Sequence, residues 1–414
     1  MSLISTLFTG VSGLSGNSKA MEIIGDNIAN VNTVGFKGSA PVFGDIFATV
    51  LHNGSVTSQL GGGSHLNGVI QQWDQGAIES SQNALDLAID GNGFFITSTP
   101  GVADQYFTRN GQFRMNESGL VQAMTGEILK GYEYTNNVVG TSLEDIDLAG
   151  VQSKPNASTF FNVGTQLDAA STATSTFNTP ITLYNSVGSI VTLNLTFTKV
   201  TSENKWTFAA VPSEGKITAG ASGSVTFDTT GQLSLKDGVA AVDHTFTIDY
   251  SDATTPADSM SMNWDLVDAA NLTHGKLTGF SAASNNNSIV QDGYATGTLL
   301  GLSVTGNGDI KGLFNNGQTE LLNKIAMADF LSPTGLTRAG NNKFTESAES
   351  GQPTIGNPNT GGLGQILGES LELSNVDIAQ AFVTMIKTQQ AYQASARLVT
   401  TTDDLLSEAV NLVR

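Results

Sequence analysis

The segment ANVNTVGFK, residues 29–37, separates a helical sequence pattern from a long series of β patterns. Asn30 and Asn32 suit the end of a helix because their short side chains bond to nearby backbone groups. Gly35 suits a positive backbone φ, and Phe36 offers an anchor for the chain that follows. We therefore predict that an N-terminal helix ends within this segment and that an extended connector begins.

Both ends of the chain carry apolar residues at helical spacing. The N-terminal stripe repeats every seven residues and is widened by three further positions: Leu7, Leu14, Met21 and Ile28, with Val11, Ile24 and Val31. The C-terminal stripe keeps the spacing through six positions, with three more on an adjacent seam: Ile378, Met385, Tyr392, Val399, Leu406 and Val413, with Phe382, Ala396 and Val410. Such repeats are typical of amphipathic helices. Two interpretations are open, an ordinary helix pair that closes a globular core and a separate coiled coil.

The helices also carry signals for their starts and their stability. Ser374 or Asn375 is predicted to cap the C-terminal helix, with Asp377 in the first turn, where a carboxylate favours the helix dipole. The N-terminal helix contains four interior glycines: Gly10, Gly13, Gly16 and Gly25. Each glycine in a helix interior lowers helix stability by about 1 kcal/mol relative to alanine. An isolated helix is only marginally stable in water. We expect both helices to be largely disordered in the free chain and to fold only when a partner surface covers their apolar stripes.

The middle of the chain alternates apolar and polar residues with a period of two. In residues 191–198 apolar side chains alternate with Thr and Asn, and residues 206–210 and 246–250 continue the pattern. One apolar and one polar face are typical of a half-buried strand. Loop-like stretches at 153–159 and 281–288 border this region, so it is predicted to form a β domain, either a sandwich or a barrel.

Taken together, these patterns predict a mainly β protein in which nested β domains are inserted between two terminal helices. The predicted parts are a helical core domain at 1–32 and 370–414, a connector at 33–69, an inner β domain at 70–144 and 285–369, and an outer β domain at 145–284. Within the inner domain, Asp86 and the run Asp90-Gly91-Asn92-Gly93 superficially resemble the start of a calcium loop, but the required spacing and terminal Glu are missing. We interpret the run as a hairpin turn in which Asn and Gly accept positive φ.

Composition excludes several classes of protein. The 414 residues carry 37 acidic and 18 basic side chains, for a net charge of −19, which argues against nucleic acid as a partner. The chain contains no Cys, so disulfides and thiolate metal sites are excluded. The N-terminus lacks a secretory signal pattern, and no apolar run approaches the roughly 18 residues of a membrane span. We therefore expect no membrane insertion.

No local pattern points to catalysis. The four histidines are far apart in the chain: His52, His65, His244 and His274. Neither a nucleophile elbow nor a complete phosphate-binding loop is present. We predict no catalytic residue, no cofactor and no metal. A polysaccharide-acting β enzyme with dispersed carboxylates stays open as an alternative to a structural polymer subunit, because such carboxylates need only be close in space.

The two segments that flank the β region resemble the flagellar rod and hook family. The residues that carry the resemblance are Ala29, Asn30, Val31, Asn32, Thr33, Val34, Gly35, Phe36 and Lys37, then Leu373, Ser374, Asn375, Val376 and Asp377. Residues 90–95, 107–113 and 335–340 also look like strands and turns of the family's domain nearest the helices. The resemblance is weakest over 145–284, and Gln389-Gln390 departs from the Gln-Arg that such proteins often carry.

The resemblance implies a structural subunit of the bacterial flagellar hook that polymerises into a flexible curved tube and transmits motor torque to the filament. The terminal helices would pair as a coiled coil and form the inner tube, so the two apolar stripes become the predicted assembly interface. The β domains would slide and tilt against neighbours as the hook bends. A distal rod protein of the basal body is the alternative within the family. Such a protein shares the terminal motifs but resembles a shorter chain that lacks the large outer domain.

The resemblance also implies partners and a location. The expected partners are further copies of this chain, the flagellar rod, the hook cap, the hook–filament junction proteins and the type III export apparatus. Export by that route without cleavage would account for the missing signal pattern and would place the protein outside the cell, continuous with the basal body. Without Cys, the chain cannot form the Cys–Lys cross-links of some spirochaete hooks.

Overall fold

The structure is a computed structural model in which the two long helices stand at the two ends of the chain. The described residues are 3–46, 49–53, 56–102, 104–200, 203–254, 256–267 and 277–412. Helix α1 spans Leu3–Ala29 and helix α2 spans Ile378–Leu412, and a short 3-10 turn spans Pro333–Gly335. The predicted mainly β fold with terminal helices that pack together is confirmed. Neither helix has a stretch long and apolar enough to cross a bilayer within the described residues.

The chain divides into two compact units. The first unit comprises Met1–Gly150, Gly301–Gly312 and Glu320–Arg414, and the second comprises Val151–Leu300 and Leu313–Thr319. The four-part division that the sequence predicts is finer than this one, and its boundaries stay a prediction.

The chain between the two helices forms short strands. The strands before residue 150 are Ser39–Asp45, Thr49–Asn53, Val56–Leu60, Ser64–Gln71, Ile78–Ser80, Leu87–Asp90, Phe94–Ser98, Gln105–Thr108, Phe113–Met115, Val121–Ala123, Ile128–Thr135, Val138–Val139 and Glu144–Asp145. Those from 151 to 291 are Gln152–Ser153, Phe160–Gln166, Thr176–Tyr184, Ile190–Lys199, Lys205–Pro212, Lys216–Ala219, Ser222–Phe227, Leu233–Lys236, Val239–Ala240, His244–Asp249, Met260–Trp264 and Asn285–Gln291. Those that follow are Gly297–Val304, Asp309–Phe314, Thr319–Ile325, Met327–Asp329, Thr337–Gly340, Lys343–Thr345, Thr354–Gly356, Gln365–Gly368 and Ser370–Glu372.

The second unit contains a five-stranded and a six-stranded sheet with one shared core. Strand Ile190–Lys199 lies between Thr176–Tyr184 and Lys205–Pro212 in the larger sheet, and all three run antiparallel to their neighbours. Its burial alternates residue by residue, as the period-two pattern predicts. Trp206 of this sheet and Trp264 of the smaller sheet are both fully buried in the shared core. The second unit therefore has the architecture of a β-sandwich.

The first unit has its core on both faces of strand Phe94–Ser98. Every residue of this strand is buried, and it pairs with Gln105–Thr108, Ile128–Thr135 and Met327–Asp329. A strand that is covered on both faces needs a nearly continuous apolar sequence, which Phe94, Phe95 and Ile96 supply.

The turn before this strand differs from the predicted hairpin. Residues 90–93 join Leu87–Asp90 to Phe94–Ser98, but Leu87–Asp90 pairs with Gln365–Gly368 instead. Positive φ occurs at Gly91 and Gly93, and Asn92 does not share it. The hairpin interpretation was wrong because the next strand along the chain belongs to another sheet, so the turn redirects the backbone without pairing its two strands.

The segment predicted as an extended connector, 33–69, is extended but pairs with itself. Ser39–Asp45 runs antiparallel to Ser64–Gln71, and Thr49–Asn53 runs antiparallel to Val56–Leu60. Helix α1 lies along the first of these strand pairs. There the Asn27 side-chain amide donates to the Ser39 carbonyl at 2.7 Å, and its oxygen accepts from the Ser39 backbone N–H at 2.8 Å.

Candidate functional site

Helices α1 and α2 pack together through small residues. A Cβ added at Gly10 would lie 2.8 Å from Cγ2 of Val399, and one added at Gly13 would lie 2.8 Å from Oγ of Ser395. The facing position moves back along α2 as α1 advances, so the two helices run antiparallel. Two of the glycines that the sequence analysis treated only as weak helix formers therefore allow the backbones to approach closely.

The predicted apolar stripes are only partly used inside the subunit. Ile24 is buried, and the half-buried members are Leu7, Leu14, Met21, Ile28, Met385, Val399 and Leu406. The adjacent seam of α2 leaves Phe382 48% and Val410 62% exposed. Thr402, seven residues after Ser395 and hence on the same helical face, is buried instead. Phe382 is predicted as part of the interface between subunits, and this stays a prediction. Val413 lies outside the described residues.

Large apolar side chains point away from the helix pair in two rows. The α1 patch consists of Ile4, Phe8 and Val11, and the α2 patch consists of Phe382, Val383 and Ile386. Each of these six residues is at least 45% exposed. The nearby Ile378 and Tyr392 are exposed as well. Contiguous apolar rows of this kind mark surfaces that meet another molecule, because monomeric proteins seldom leave them in water.

A buried ionic cluster ties together the chain segments at which α1 ends and α2 begins. The Lys37 ammonium donates to the Glu372 carboxylate at 2.7 Å and to the Asp74 carbonyl at 2.8 Å. The Arg109 guanidinium reaches the second Glu372 oxygen at 3.4 Å and donates to the Gly91 carbonyl at 2.8 Å. The side chains of Lys37, Arg109 and Glu372 are all buried. The cluster therefore joins the N-terminal motif, the C-terminal strand and the inner sheet.

Two cations share a single carboxylate in this cluster. Burial lowers the pKa of Lys37 below its ordinary value, and the attraction of Glu372 partly opposes that shift. Burial likewise lowers the pKa of Arg109, again against the attraction of Glu372. Because two charged groups depend on it, Glu372 stabilises the cluster more than either cation does. Lys37 belongs to the N-terminal motif and Arg109 to the family-like segment 107–113, but no local pattern in the sequence singles out Glu372.

Gly35 occupies a position that only glycine fits. Its φ of +66° agrees with the prediction of positive φ. A Cβ at this position would lie 2.5 Å from the carbonyl carbon and oxygen of Arg109. Its backbone N–H donates to the Glu372 carbonyl at 2.7 Å. The motif glycine thus brings the N-terminal segment into direct contact with the strand that precedes α2.

The start of α2 corrects the predicted cap. The Asp377 carboxylate accepts from the backbone N–H groups of Ala379 and Gln380 at 2.8 and 3.2 Å, so Asp377 is the cap. Asn375 instead links the two chain ends. Its side-chain oxygen accepts from the Gly38 N–H at 2.8 Å, and its amide donates to the Gln72 carbonyl at 2.9 Å. The prediction of a cap at Ser374 or Asn375 failed because tertiary partners recruit the Asn375 side chain.

Arg338 contacts the N-terminal motif, residues 29–37, and the residues on either side of it. Its guanidinium donates to the Lys37 carbonyl at 3.1 Å and to Ser39 Oγ at 2.8 Å, lies 3.6 Å from the Asp26 carboxylate, and stacks over the Phe36 ring. Phe36 is buried, as an anchor should be. The segment 335–340 was noted in the sequence only for its resemblance, and the contacts give Arg338 a physical role.

The remaining motif residues close the end of α1. The last helical residue is Ala29, and the Asn30 side chain donates to the Asp26 carbonyl at 2.9 Å. The Thr33 hydroxyl donates to the Asn30 side-chain oxygen at 3.1 Å. Asn32 is exposed, and Val376 packs near Gly38. The prediction that a helix ends within this segment is confirmed.

The described part of the chain brings no potential metal ligands together. No group of three or more His, Asp or Glu side chains there has a geometry that would hold a metal ion. His244 lies among Phe208, Phe246 and Trp264 in the core of the second unit, and its Nε2 lies 2.8 Å from the Gly220 carbonyl. Its surroundings are those of a packed core residue.

Sequence models of four flagellar domains match this chain. They are described as the flagellar basal body rod protein (residues 7–37), the flagellar hook protein FlgE/F/G D1 domain (88–166), the flagellar basal body protein FlaE D2 domain (152–294) and the flagellar basal body rod FlgEFG protein C-terminal region (368–412).

Relatives match the chain over nearly its whole length. The flagellar hook protein FlgE of Borreliella burgdorferi is 31% identical over 99% of this chain and 100% of its own length. Those of Brucella suis and Escherichia coli are 30% and 28% identical, over 100% and 97% of this chain and 100% and 98% of their own lengths. The chain therefore belongs to the flagellar hook protein FlgE family.

Proposed function

We propose that this chain assembles with other copies of itself into the bacterial flagellar hook, with the outward faces of its terminal helices as the assembly interface. As a member of a structural family it is a subunit of the flagellum and not an enzyme. The observation that carries the proposal is the exposure of the α1 and α2 patches on a helix pair whose inner seam is already filled.

The physical reason is the hydrophobic effect. Fully burying a Val, Ile or Phe side chain contributes about 1.5 to 3 kcal/mol, and each subunit exposes six such side chains in the two patches. Association of two free molecules costs several kcal/mol, so a few well-packed contacts of this kind are needed for a stable polymer. The predicted interface residues Leu7, Leu14, Met385 and Leu406 are half-buried and lie beside these patches, where a neighbour would complete their burial.

The proposed division of labour follows the two kinds of structure in the chain. The helical core, 1–32 and 370–414, would hold the polymer together. The inner β domain, 70–144 and 285–369, and the outer β domain, 145–284, would slide and tilt against neighbours as the hook bends. Comparing subunits around one curved hook tests this part of the proposal, because a single inter-domain angle in every subunit would contradict it.

Further partners follow from the same role. Type III export would carry the chain out of the cell, where it would meet the rod at one end of the hook and the junction proteins at the other. The hook cap would guide its addition. These partners are proposals that rest on family membership alone.

The proposal is tested by assembly of the purified full-length protein. Leu7→Asp and Met385→Asp place a charge in the helical interface, and each is expected to lower the fraction of sedimenting polymer at least about tenfold, because an unpaired buried charge costs several kcal/mol. Thermal unfolding of the β units should not change. Amide hydrogen exchange should show α1 and α2 weakly protected in the free subunit and strongly protected in the polymer. Strong protection in the monomer would contradict folding upon assembly.

A further inference from the structure

The two exposed patches lie at opposite ends of the helix pair. Gly10 faces Val399, so in the antiparallel pair the α1 patch lies at the level of the last part of α2. The α2 patch is centred about 18 residues earlier on α2, which at 1.5 Å per residue is about 27 Å along the axis. The patches therefore do not form one continuous surface on a subunit.

The patches also point to different sides of the pair. Residues Ile4, Phe8 and Val11 recur at intervals of four and three, which places them on one face of α1, whereas Gly10 and Gly13 lie on the face that meets α2. The α2 patch likewise avoids the face that carries Ser395 and Thr402. Each patch is thus open to a second molecule while the pair stays intact.

Charge favours a second copy of this chain as the occupant of both patches. The net charge of −19 means that copies repel each other over most of their surfaces. The first 18 residues contain no charged side chain, and neither does the stretch 378–386. These two helical stretches can meet without like-charge repulsion and without burying a charge.

We propose that the α1 patch of one subunit docks on the α2 patch of the next subunit, which is displaced along the helix axis by about 27 Å. Such a contact joins two different surfaces and leaves a free patch at each end. It therefore propagates as an open polymer, whereas a contact between two α1 patches would close as a dimer. This pairing rests on the proposed function and adds to it the polarity and the stagger of the interface.

A charge exchange tests the pairing. Phe8→Lys and Val383→Glu are each expected to lower sedimenting polymer at least about tenfold, because each buries an unpaired charge. The double variant Phe8→Lys/Val383→Glu brings opposite charges together at every contact and is expected to recover most of the polymer. Val239→Glu, at an exposed position in the second unit, serves as the matched control and should assemble normally.

Each result has a defined meaning. A double variant no better than either single variant would overturn the pairing, and single variants that assemble normally would remove the patches from the interface. Failure of the unaltered protein to form any polymer would instead refute the proposed function, and the pairing with it. Circular dichroism and thermal unfolding of each variant separate loss of assembly from loss of folding.

Cross-linking gives a second, independent measurement. The chain has no Cys, so Val11→Cys and Val383→Cys each carry a single thiol. Oxidation of a polymer grown from both variants is expected to give disulfide-linked dimers that contain one copy of each, and polymers of either variant alone should give none. Dimers in the Val11→Cys polymer alone would show that α1 patches meet each other and would overturn the proposal.

Discussion

The terminal helix pair and the second unit bury their large side chains in opposite ways. In the second unit Trp206, Trp264 and Phe197 point inward and are fully buried. In the helix pair Gly10 and Gly13 lie against Val399 and Ser395. The large side chains of Phe8, Phe382 and Val410 are exposed instead. The second unit therefore buries its aromatic residues within the subunit, whereas the helix pair leaves apolar side chains exposed, where neighbouring subunits are proposed to cover them.

Truncating one aromatic residue in each region should separate these roles most strongly. Trp264→Ala removes a fully buried side chain and is expected to lower the free energy of unfolding of the second unit by about 4 kcal/mol. Phe382→Ala should leave the unfolding of the free subunit unchanged and reduce polymer yield. Chemical denaturation followed by fluorescence, with sedimentation of the polymer, measures both. Equal effects of the two variants on monomer unfolding would show that Phe382 supports the free subunit as much as Trp264 does, which would contradict the proposed difference between the two regions.

The next largest effect is expected at the buried ionic cluster of Lys37, Arg109 and Glu372, which is neither part of the aromatic core nor part of the exposed patches. Glu372→Gln leaves Lys37 and Arg109 without a counter-charge and should destabilise the first unit by about 3 kcal/mol. Asp145→Asn removes the partly exposed ion pair with Lys130 and should cost less than about 1 kcal/mol. Denaturant midpoints of the two variants test the difference. Similar midpoints would mean that the cluster contributes no more than a surface pair.

Glycine substitutions in α1 test how closely α1 and α2 approach each other. Gly10→Ala places a Cβ 2.8 Å from Val399 and should lower polymer stability by about 1 to 3 kcal/mol. Gly25→Ala meets no atom within 4 Å and should raise it by up to about 1 kcal/mol through helix propensity. Polymer melting temperatures measure both changes. If Gly10→Ala proved as favourable as Gly25→Ala, the close helix contact would be refuted.

The smallest effect is expected from pH, and it should be confined to the sandwich. Burial lowers the pKa of His244, with Lys236 adding to the shift, while the Gly220 carbonyl and Asp237 oppose it. The unfolded chain therefore binds a proton more readily, and stability should fall as pH drops through the ordinary His pKa of about 6.5 until the folded pKa is passed. His244→Gln should flatten this dependence, whereas His65→Gln, at an exposed position, should not. Unfolding curves at pH 5 to 8 check it, and assembly should be unaffected by either change.

The sequence predicted the elements better than their contacts. The period-two alternation in 191–198 gave the correct buried face, because neighbouring strands cover whichever face is apolar. The seven-residue repeats located both helices. The repeats could not show that the Thr402 side chain is buried while that of Phe382 is exposed. An apolar stripe on a helix can be covered by the same chain or by another chain, and the sequence pattern is the same in both cases.

The class of fold, the end of α1 near Asn30 and the need for glycine at position 35 could all be predicted from the sequence. These features depend on local backbone preferences and on periodicity, which a short stretch of chain specifies. The contact of Lys37 with Glu372, a residue 335 positions away, appears only in the folded chain. The same holds for the hydrogen bond between Asn375 and Gly38, which leaves the helix cap to Asp377. Such pairings depend on which distant segments the fold brings together, and their energies come from burial that no local stretch can encode.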